Sequence, residues 1–176
     1  MADAHVRVAG PGDVAEIARI QLAVWETAYS AWLPAQVLQA VTAEQAAASW
    51  RSAVTAPPTP RHRVLVALEQ DWLVGFAAFA TAEDGTAEVQ TLLVEPRWGR
   101  RGHGSRLLAA TVDHLRADGA RTATVWVPER DAASVRFYES AGWERDGYAR
   151  ALDAGGPEIH EVRLHVSVAE DGEEEQ

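Results

Sequence analysis

Four arginines and three glycines crowd into ten residues, Arg97-Trp98-Gly99-Arg100-Arg101-Gly102-His103-Gly104-Ser105-Arg106. Glycine lets a main chain approach a ligand closely, and the arginines supply positive charge. Upstream, the apolar run Val89 to Val94 reads as a strand that meets Pro96. Downstream, Leu107, Leu108, Thr111, Val112 and Leu115 recur at helical spacing. A loop of this kind opening a helix aims several backbone N–H groups at one point, where the positive end of the helix dipole adds to them. The segment is a receptor for phosphates.

Its spacing excludes the two commonest phosphate loops. A nucleoside-triphosphate loop needs Lys followed by Ser or Thr after its last Gly, and no such pair occurs here. A dinucleotide fingerprint spaces its glycines two and then three apart, whereas Gly99, Gly102 and Gly104 run three and then two. A second segment lies about thirty residues on. Thr122–Val127 is rich in β-branched residues and reads as a strand. Asp131 is placed to cap the helix that follows, and Gly142 to end it in a left-handed turn. Ala133, Phe137 and Ala141 form one helical stripe, with Val135 and Tyr138 beside it.

Together these two segments resemble the GNAT N-acetyltransferase superfamily. Gly102-His103-Gly104 after Val94-Glu95-Pro96 is similar to its acetyl-CoA pyrophosphate loop. The run from Asp131 through Ser134, Phe137-Tyr138 and Gly142-Trp143 is similar to its Asn-x-x-Ala/Ser-x-x-Phe-Tyr-x-x-x-Gly-Phe/Trp helix, with Asp in the Asn place. The resemblance covers roughly Arg63 to Val166 and implies an α/β (α+β) fold, a mixed, mostly antiparallel sheet of about six to seven strands flanked by helices. It also implies direct acetyl transfer from acetyl-CoA to a primary amine in a ternary complex. Tyr138 would protonate the leaving thiolate; an ordinary phenol has a pKa near 10. A backbone N–H among Leu92, Leu93 and Val94, where related strands bulge and splay from their neighbour, would hold the thioester oxygen. Pyrophosphate oxygens would meet the N–H groups of Arg101, Gly102, His103, Gly104, Ser105 and Arg106, and Asp131 and Ser134 would border the cofactor. One departure stands out: the family commonly has Gln or Arg where this chain has Gly99, so either Arg100 or Arg101 compensates or affinity is lower.

The general base is less well marked. Strand alternation places Glu88, Gln90, Leu92 and Val94 on one face, which makes Glu88 the first candidate; it reads equally as a solvated charge. Glu26, a water chain, or an amine acidic enough to need no base are the alternatives. Trp25, Tyr29 and Trp32 form an aromatic stripe that either packs in the core or lines the acceptor pocket. His103 is expected to contribute its main chain only. His62, His114, His160 and His165 lack metal-ligand spacing, so no metal is expected.

The elements that must position these residues are legible in outline. His5–Ala9 reads as a strand, and Asp13 as the cap of a helix to about Ala28. Pro34 to Ala40 reads as a short helix, and Thr42, with Glu44 and Gln45 near the capping-box position, opens another to about Val54. His62–Leu68, Trp72–Ala80 and Thr86–Val94 alternate as strands, and Trp143–Leu152 with Glu158–Val168 as a final antiparallel pair. The chain of 176 residues, 47% hydrophobic and 24% charged, suits one domain over 1–168 with a disordered acidic tail over 169–176. The absence of cysteine excludes a thiolate metal site and a cysteinyl acyl-enzyme.

The net charge is −10, of which the tail carries five negative charges. The acidic body argues against nucleic acid as partner, which would otherwise compete for Arg97, Arg100, Arg101 and Arg106. It inclines toward a cationic acceptor such as a polyamine, an amino sugar or a protein N-terminus. No long apolar stretch or secretory signal pattern occurs, so no membrane partner and a cytoplasmic location are expected. A homodimer is implied by resemblance alone. The rival reading is a non-catalytic acyl-CoA-binding sensor.

Overall fold

The computed structural model describes residues 3–153 and 155–169. The tail expected to be disordered lies, from residue 170 onward, outside the described residues. Strand β1 (Ala4–Val8) leads through a 3-10 turn at Pro11–Asp13 into helix α1 (Val14–Tyr29), followed by α2 (Ala35–Leu38) and α3 (Ala43–Thr55). Strands β2 (His62–Glu69), β3 (Trp72–Thr81) and β4 (Thr86–Val94) form a meander. Helix α4 (His103–Ala117), β5 (Thr122–Pro128), α5 (Ala132–Ser140), β6 (Glu144–Asp153) and β7 (Glu158–Ser167) complete the chain. The strands form one seven-stranded sheet in the order β1-β2-β3-β4-β5-β7-β6. All neighbours are antiparallel except β4 and β5. This is the mixed, mostly antiparallel sheet that the sequence implied, at the upper end of the expected strand count.

Local chemistry explains the helix starts. Thr42 Oγ1 accepts from Gln45 N at 3.1 Å while Gln45 Oε1 accepts from Thr42 N at 2.9 Å, a reciprocal capping box. Asp13 holds the N-cap position of α1 but does not cap it with its side chain. Its carboxylate turns back to accept from Gly10 N and from both terminal nitrogens of Arg7 at 2.7–2.9 Å. The charge-assisted pair outcompetes the helix amide for the same oxygens.

Two apolar layers sandwich the sheet. Leu107 and Leu115 of α4, with Val135 of α5, bury against Leu65, Phe79, Val89 and Leu164. On the opposite face Ile17 and Ile20 of α1 and Trp50 of α3 cover Val66 and Phe76, with the Trp50 and Phe76 rings edge to face at 4.9 Å. Among the described residues no helix is long and apolar enough to cross a membrane.

A β-bulge changes the reading of β4. Ala78 pairs with Thr91, but Phe79 pairs with Val89, so Gln90 is an extra residue. An inserted residue reverses the in–out alternation beyond it. Leu92 and Val94 therefore pack on the α4 side together with Ala87 and Val89, while Leu93 packs on the α1 side. The expectation that Glu88 shares a face with Leu92 and Val94 is overturned: strict alternation does not survive the bulge.

The β4–β5 pairing is short. It runs from Thr86–Thr122 to Val89–Val125 and stops at the bulge. Beyond it β4 follows β3 as far as Val94, while β5 follows β7 as far as Pro128 opposite Glu161. The two strands part, and the edge of β4 from Gln90 to Val94 has no β5 partner.

Two contacts fix this frame and are testable. A Cβ on Gly75 would lie 2.7 Å from the Leu93 carbonyl oxygen and 3.2 Å from Val94 Cα, so Gly75→Val should cost about 1–3 kcal/mol in chemical denaturation. Arg63 donates twice to Asp118, at 2.7 and 3.0 Å, tying β2 to the end of α4. The Arg63 guanidinium holds the Asp118 carboxyl below its usual range. Stability from this pair is therefore full above about pH 4, the unfolded carboxylate range, and is lost as acid protonates Asp118. Asp118→Ala should cost about 1–2 kcal/mol at neutral pH and progressively less under acid, measured by urea titration.

Candidate active site

Where β4 and β5 part, a cavity of about 370 Å³ opens. One wall is Thr91, Leu92 and Leu93 of β4, facing Val127 and Pro128 of β5 and Asp131, Ser134 and Tyr138 of α5. The other comes from Trp25, Tyr29 and Trp32, at and beyond the end of α1, with Val37 and Leu38. Of the predicted residues, Leu92, Leu93, Asp131, Ser134, Tyr138, Trp25, Tyr29 and Trp32 meet here. Val94 lies beyond the cavity wall. Glu88 does not line it: it borders a neighbouring depression with Gln90, Thr124, Asp146 and His165. Glu26 is exposed outside it.

The glycine–arginine loop closes one end of β4. After a 3-10 turn at Pro96–Trp98, Arg100 (φ 61°) and Gly102 (φ 82°) both take left-handed backbone. Gly102 is the N-cap of α4. Arg106 N–H is already spent, donating to the Gly102 carbonyl at 3.0 Å. It is therefore not among the phosphate donors expected of this loop. His103, Gly104 and Ser105, in the first turn, have amides with no intrahelical acceptor. Gly104 is small for a packing reason as well: a Cβ there would sit 3.3 Å from the Phe137 ring, where α4 meets α5.

His103 does more than lend its main chain. Its ring is buried, and Nε2 lies 2.6 Å from Glu69 Oε2 while Nδ1 lies 3.1 Å from an Arg106 terminal nitrogen. Guanidinium can only donate, so Nδ1 accepts and Nε2–H donates to the carboxylate. Trp98 meets the ring edge-on at 6.4 Å, and Arg101 lies 5.0 Å over Trp98 and 3.4 Å from Glu69. Arg97 is held by Glu95 at 2.9 Å. Arg100 makes no side-chain hydrogen bond or ion pair among the described residues. Glu69, at the end of β2, carried no signal in the sequence; only the fold brings it to the loop.

Tyr138 is buried edge-to-face between Phe137 and Trp143, each at 5.2 Å. Burial raises its pKa well above that of a free phenol, and the Asp131 carboxylate adds to the effect. Tyr29, packed on Trp32 at 4.9 Å, is pushed up to about 12 by burial, then by the charges of Asp131 and Glu161. Asp131 caps α5 as its sequence position predicts, accepting from Ser134 N at 3.1 Å and Ser134 Oγ at 2.7 Å. Among the described residues no three His, Cys, Asp or Glu side chains cluster as metal ligands.

The site also contains residues that the sequence reading did not single out. Glu161, only 9% exposed, borders the cavity opposite Pro128 and accepts from Arg150 Nε at 2.7 Å. Arg150 stacks on Trp126 at 4.2 Å. Leu152 and Ile159, paired across β6 and β7, complete that side. Their convergence depends on the β5–β7–β6 register, which no local pattern encodes.

A split parallel pair above a helix N-terminus, with a buried phenol in the cleft, defines an acyl-transfer scaffold. The chain belongs to the acetyltransferase (GNAT) family, whose model matches residues 23–143. It is 32% identical over 90 residues to mycothiol acetyltransferase of Saccharopolyspora erythraea, a match covering 49% of this chain and 30% of that enzyme. The chain thus spans less than a third of that relative's length. The PaiA N-acetyltransferase of Thermoplasma acidophilum, solved in complex with coenzyme A, superposes with a TM-score of 0.78 at 14% identity, covering 94% of this chain and 99% of that one. The Salmonella typhimurium protein YncA, solved with its cofactor acetyl-CoA, gives 0.73 at 20% identity, covering 99% of both.

Asp131 couples the cap to the phenols, and two substitutions separate these roles. Asp131→Asn should preserve the cap yet lower the Tyr29 pKa from about 12, seen by NMR titration of the tyrosine ring carbons. Asp131→Ala should lose about 1 kcal/mol of stability as well.

Proposed function

We propose that this protein transfers an acetyl group from acetyl-CoA directly to a primary amine, with both substrates bound together. The observation that carries this reading is the unpaired edge of β4 running into the free amides of α4, with Tyr138 facing the same cleft. The donor set fits the ligand. Strand-edge N–H and C=O groups suit the amides of a pantetheine arm, and the first-turn amides of His103, Gly104 and Ser105 suit pyrophosphate oxygens. Glu69, through His103 and Arg106, holds that turn in place before any ligand arrives.

In the transfer, the amine nitrogen forms a bond to the thioester carbonyl carbon and the carbon–sulfur bond breaks. A β4 edge amide near Leu92–Leu93 stabilises the oxygen as charge develops on it. The amine sheds its ammonium proton to solvent before it attacks. The sulfur then takes a proton from the Tyr138 hydroxyl, and the cationic nitrogen of the adduct gives up a second proton that restores the phenol through solvent. Burial favours the neutral form of Tyr138, so it enters the reaction carrying its proton. The same burial raises the proton affinity of a thiolate beside it, which keeps donor and acceptor matched.

Calorimetric titration of acetyl-CoA and desulfo-CoA, followed by thiol-release assays on an amine panel, tests the reading. Micromolar binding with thiol release supports it, and no binding overturns it. Tyr138→Phe should lower kcat by about 100-fold or more while leaving the acetyl-CoA Kd within about twofold. The rate should climb with pH as the amine deprotonates, while the raised Tyr138 pKa keeps the phenol's proton in place. It should show no falling limb up to about pH 10, where a free phenol would already be ionising.

A further inference from the structure

The half of the cavity facing away from the β4 edge has a distinct chemistry. Trp25, Trp32, Leu38, Trp126, Leu152 and Ile159 present apolar surface from three separate parts of the chain. Leu152 stands 40% exposed on β6, a large aliphatic side chain that the protein itself leaves half uncovered. Among the described residues the charged ones that line this cavity are Asp131 and Glu161, the latter ion-paired with Arg150. Both carboxylates act on Tyr29, which places them within electrostatic reach of one spot. Arg150 makes the only side-chain hydrogen bond of Glu161 among the described residues, leaving the carboxylate capacity for a second donor.

Resting on the acetyltransferase reading above, the geometry points to an acceptor that is a monoamine with a compact aromatic or branched aliphatic body. The ammonium group is drawn to Glu161, clamped by Arg150, and the body fills the space between the aromatic wall at the end of α1 and the Leu152–Ile159 pair. Glu161 is here a binding group for the amine. A polyamine or amino sugar would press a second ammonium or several hydroxyls against apolar walls, each without a partner. A peptide N-terminus would bring amides, and part of the cavity's polar lining is already engaged: Gln21 Oε1 accepts from Trp50 Nε1 at 2.9 Å and the Asp131 carboxylate accepts from Ser134. The acidic body inclined toward a cationic acceptor such as a polyamine, an amino sugar or a protein N-terminus; the cavity selects one charge on an apolar body.

The test compares 2-phenylethylamine and isopentylamine with spermidine, glucosamine and an alanyl peptide, each at saturating acetyl-CoA and matched free-amine concentration. The expected result is a kcat/KM at least about tenfold higher for the two apolar amines. Glu161→Gln should raise KM for both by about tenfold, with the acetyl-CoA Kd unchanged. Leu152→Ser, at an exposed rim position where folding is not at stake, should raise KM for phenylethylamine about threefold and leave that for glucosamine unmoved. Better turnover of spermidine, glucosamine or the peptide overturns the inference while leaving the acetyltransferase reading intact. If acetyl-CoA does not bind, the earlier reading fails. Phenylethylamine binding to the protein alone, followed by tryptophan fluorescence, then decides this inference: saturable quenching lost in Glu161→Gln upholds it, and no quenching overturns it.

Discussion

The structure turns on where the one parallel strand pair ends. β4 and β5 share register for only four residues before Gln90 bulges out and β5 commits to β7. Main-chain N–H and C=O groups are obligatory hydrogen-bonding groups, and an unpaired sheet edge is a template for pairing. In most proteins such an edge lies at the margin of the sheet, where it risks aggregation. Here it lies in the interior, flanked by helices on both faces and reachable only through a cleft. The pairing capacity of β4 is thereby left open inside the sheet, at the site proposed for the pantetheine arm.

The glycine–arginine loop illustrates a second cost offset by packing. Arg100 adopts left-handed backbone without being glycine, a conformation that costs roughly 1 kcal/mol or more for an L residue. It persists because the residues on either side are tied down. Trp98 lies against His103 and Arg101, His103 is fastened to Glu69, and Arg106 closes the first helical turn on Gly102. Ordering these amides during folding removes an entropy cost that binding would otherwise carry.

Much of this was legible in the residues. Strand alternation and helical stripes located the main elements, with ends shifted by a residue or two and α2 shorter than Pro34–Ala40. Two local motifs located the loop and the Asp131 cap. What escaped was non-local. The resemblance implied a bulge and splay in this strand, but its place at Gln90 follows from how β4 packs between β3 and β5, and it parts the face of Glu88 from that of Leu92 and Val94. Glu69 reaches His103 only because β2 lies beside β3 at the mouth of the loop, and Glu161 meets Arg150 only through the register of the last two strands. Sequence periodicity reports which face a residue takes within an element; it says nothing about which element faces it.

The fate of Tyr138 shows why placement decides chemistry beyond residue type. A phenol in water is an acid of pKa near 10, and on that footing it was a plausible proton source for a thiolate slightly less basic than itself. In the cleft it is nearly fully buried, beside Asp131, and a good deal less acidic. Taken alone this would make proton transfer harder. In the proposed transfer the leaving thiolate would be subject to the same physics, born in the same low-dielectric cleft and facing the same carboxylate. Desolvation and a nearby negative charge destabilise every anion in the site alike, so they raise the basicity of the sulfur along with that of the phenolate. What matters is the difference between the two pKa values, and a shared environment perturbs that difference far less than it perturbs either value. In the proposed reaction burial therefore serves two ends at once: it keeps the phenol protonated across the physiological range, and it leaves the small uphill gap between phenol and thiol close to its value in water.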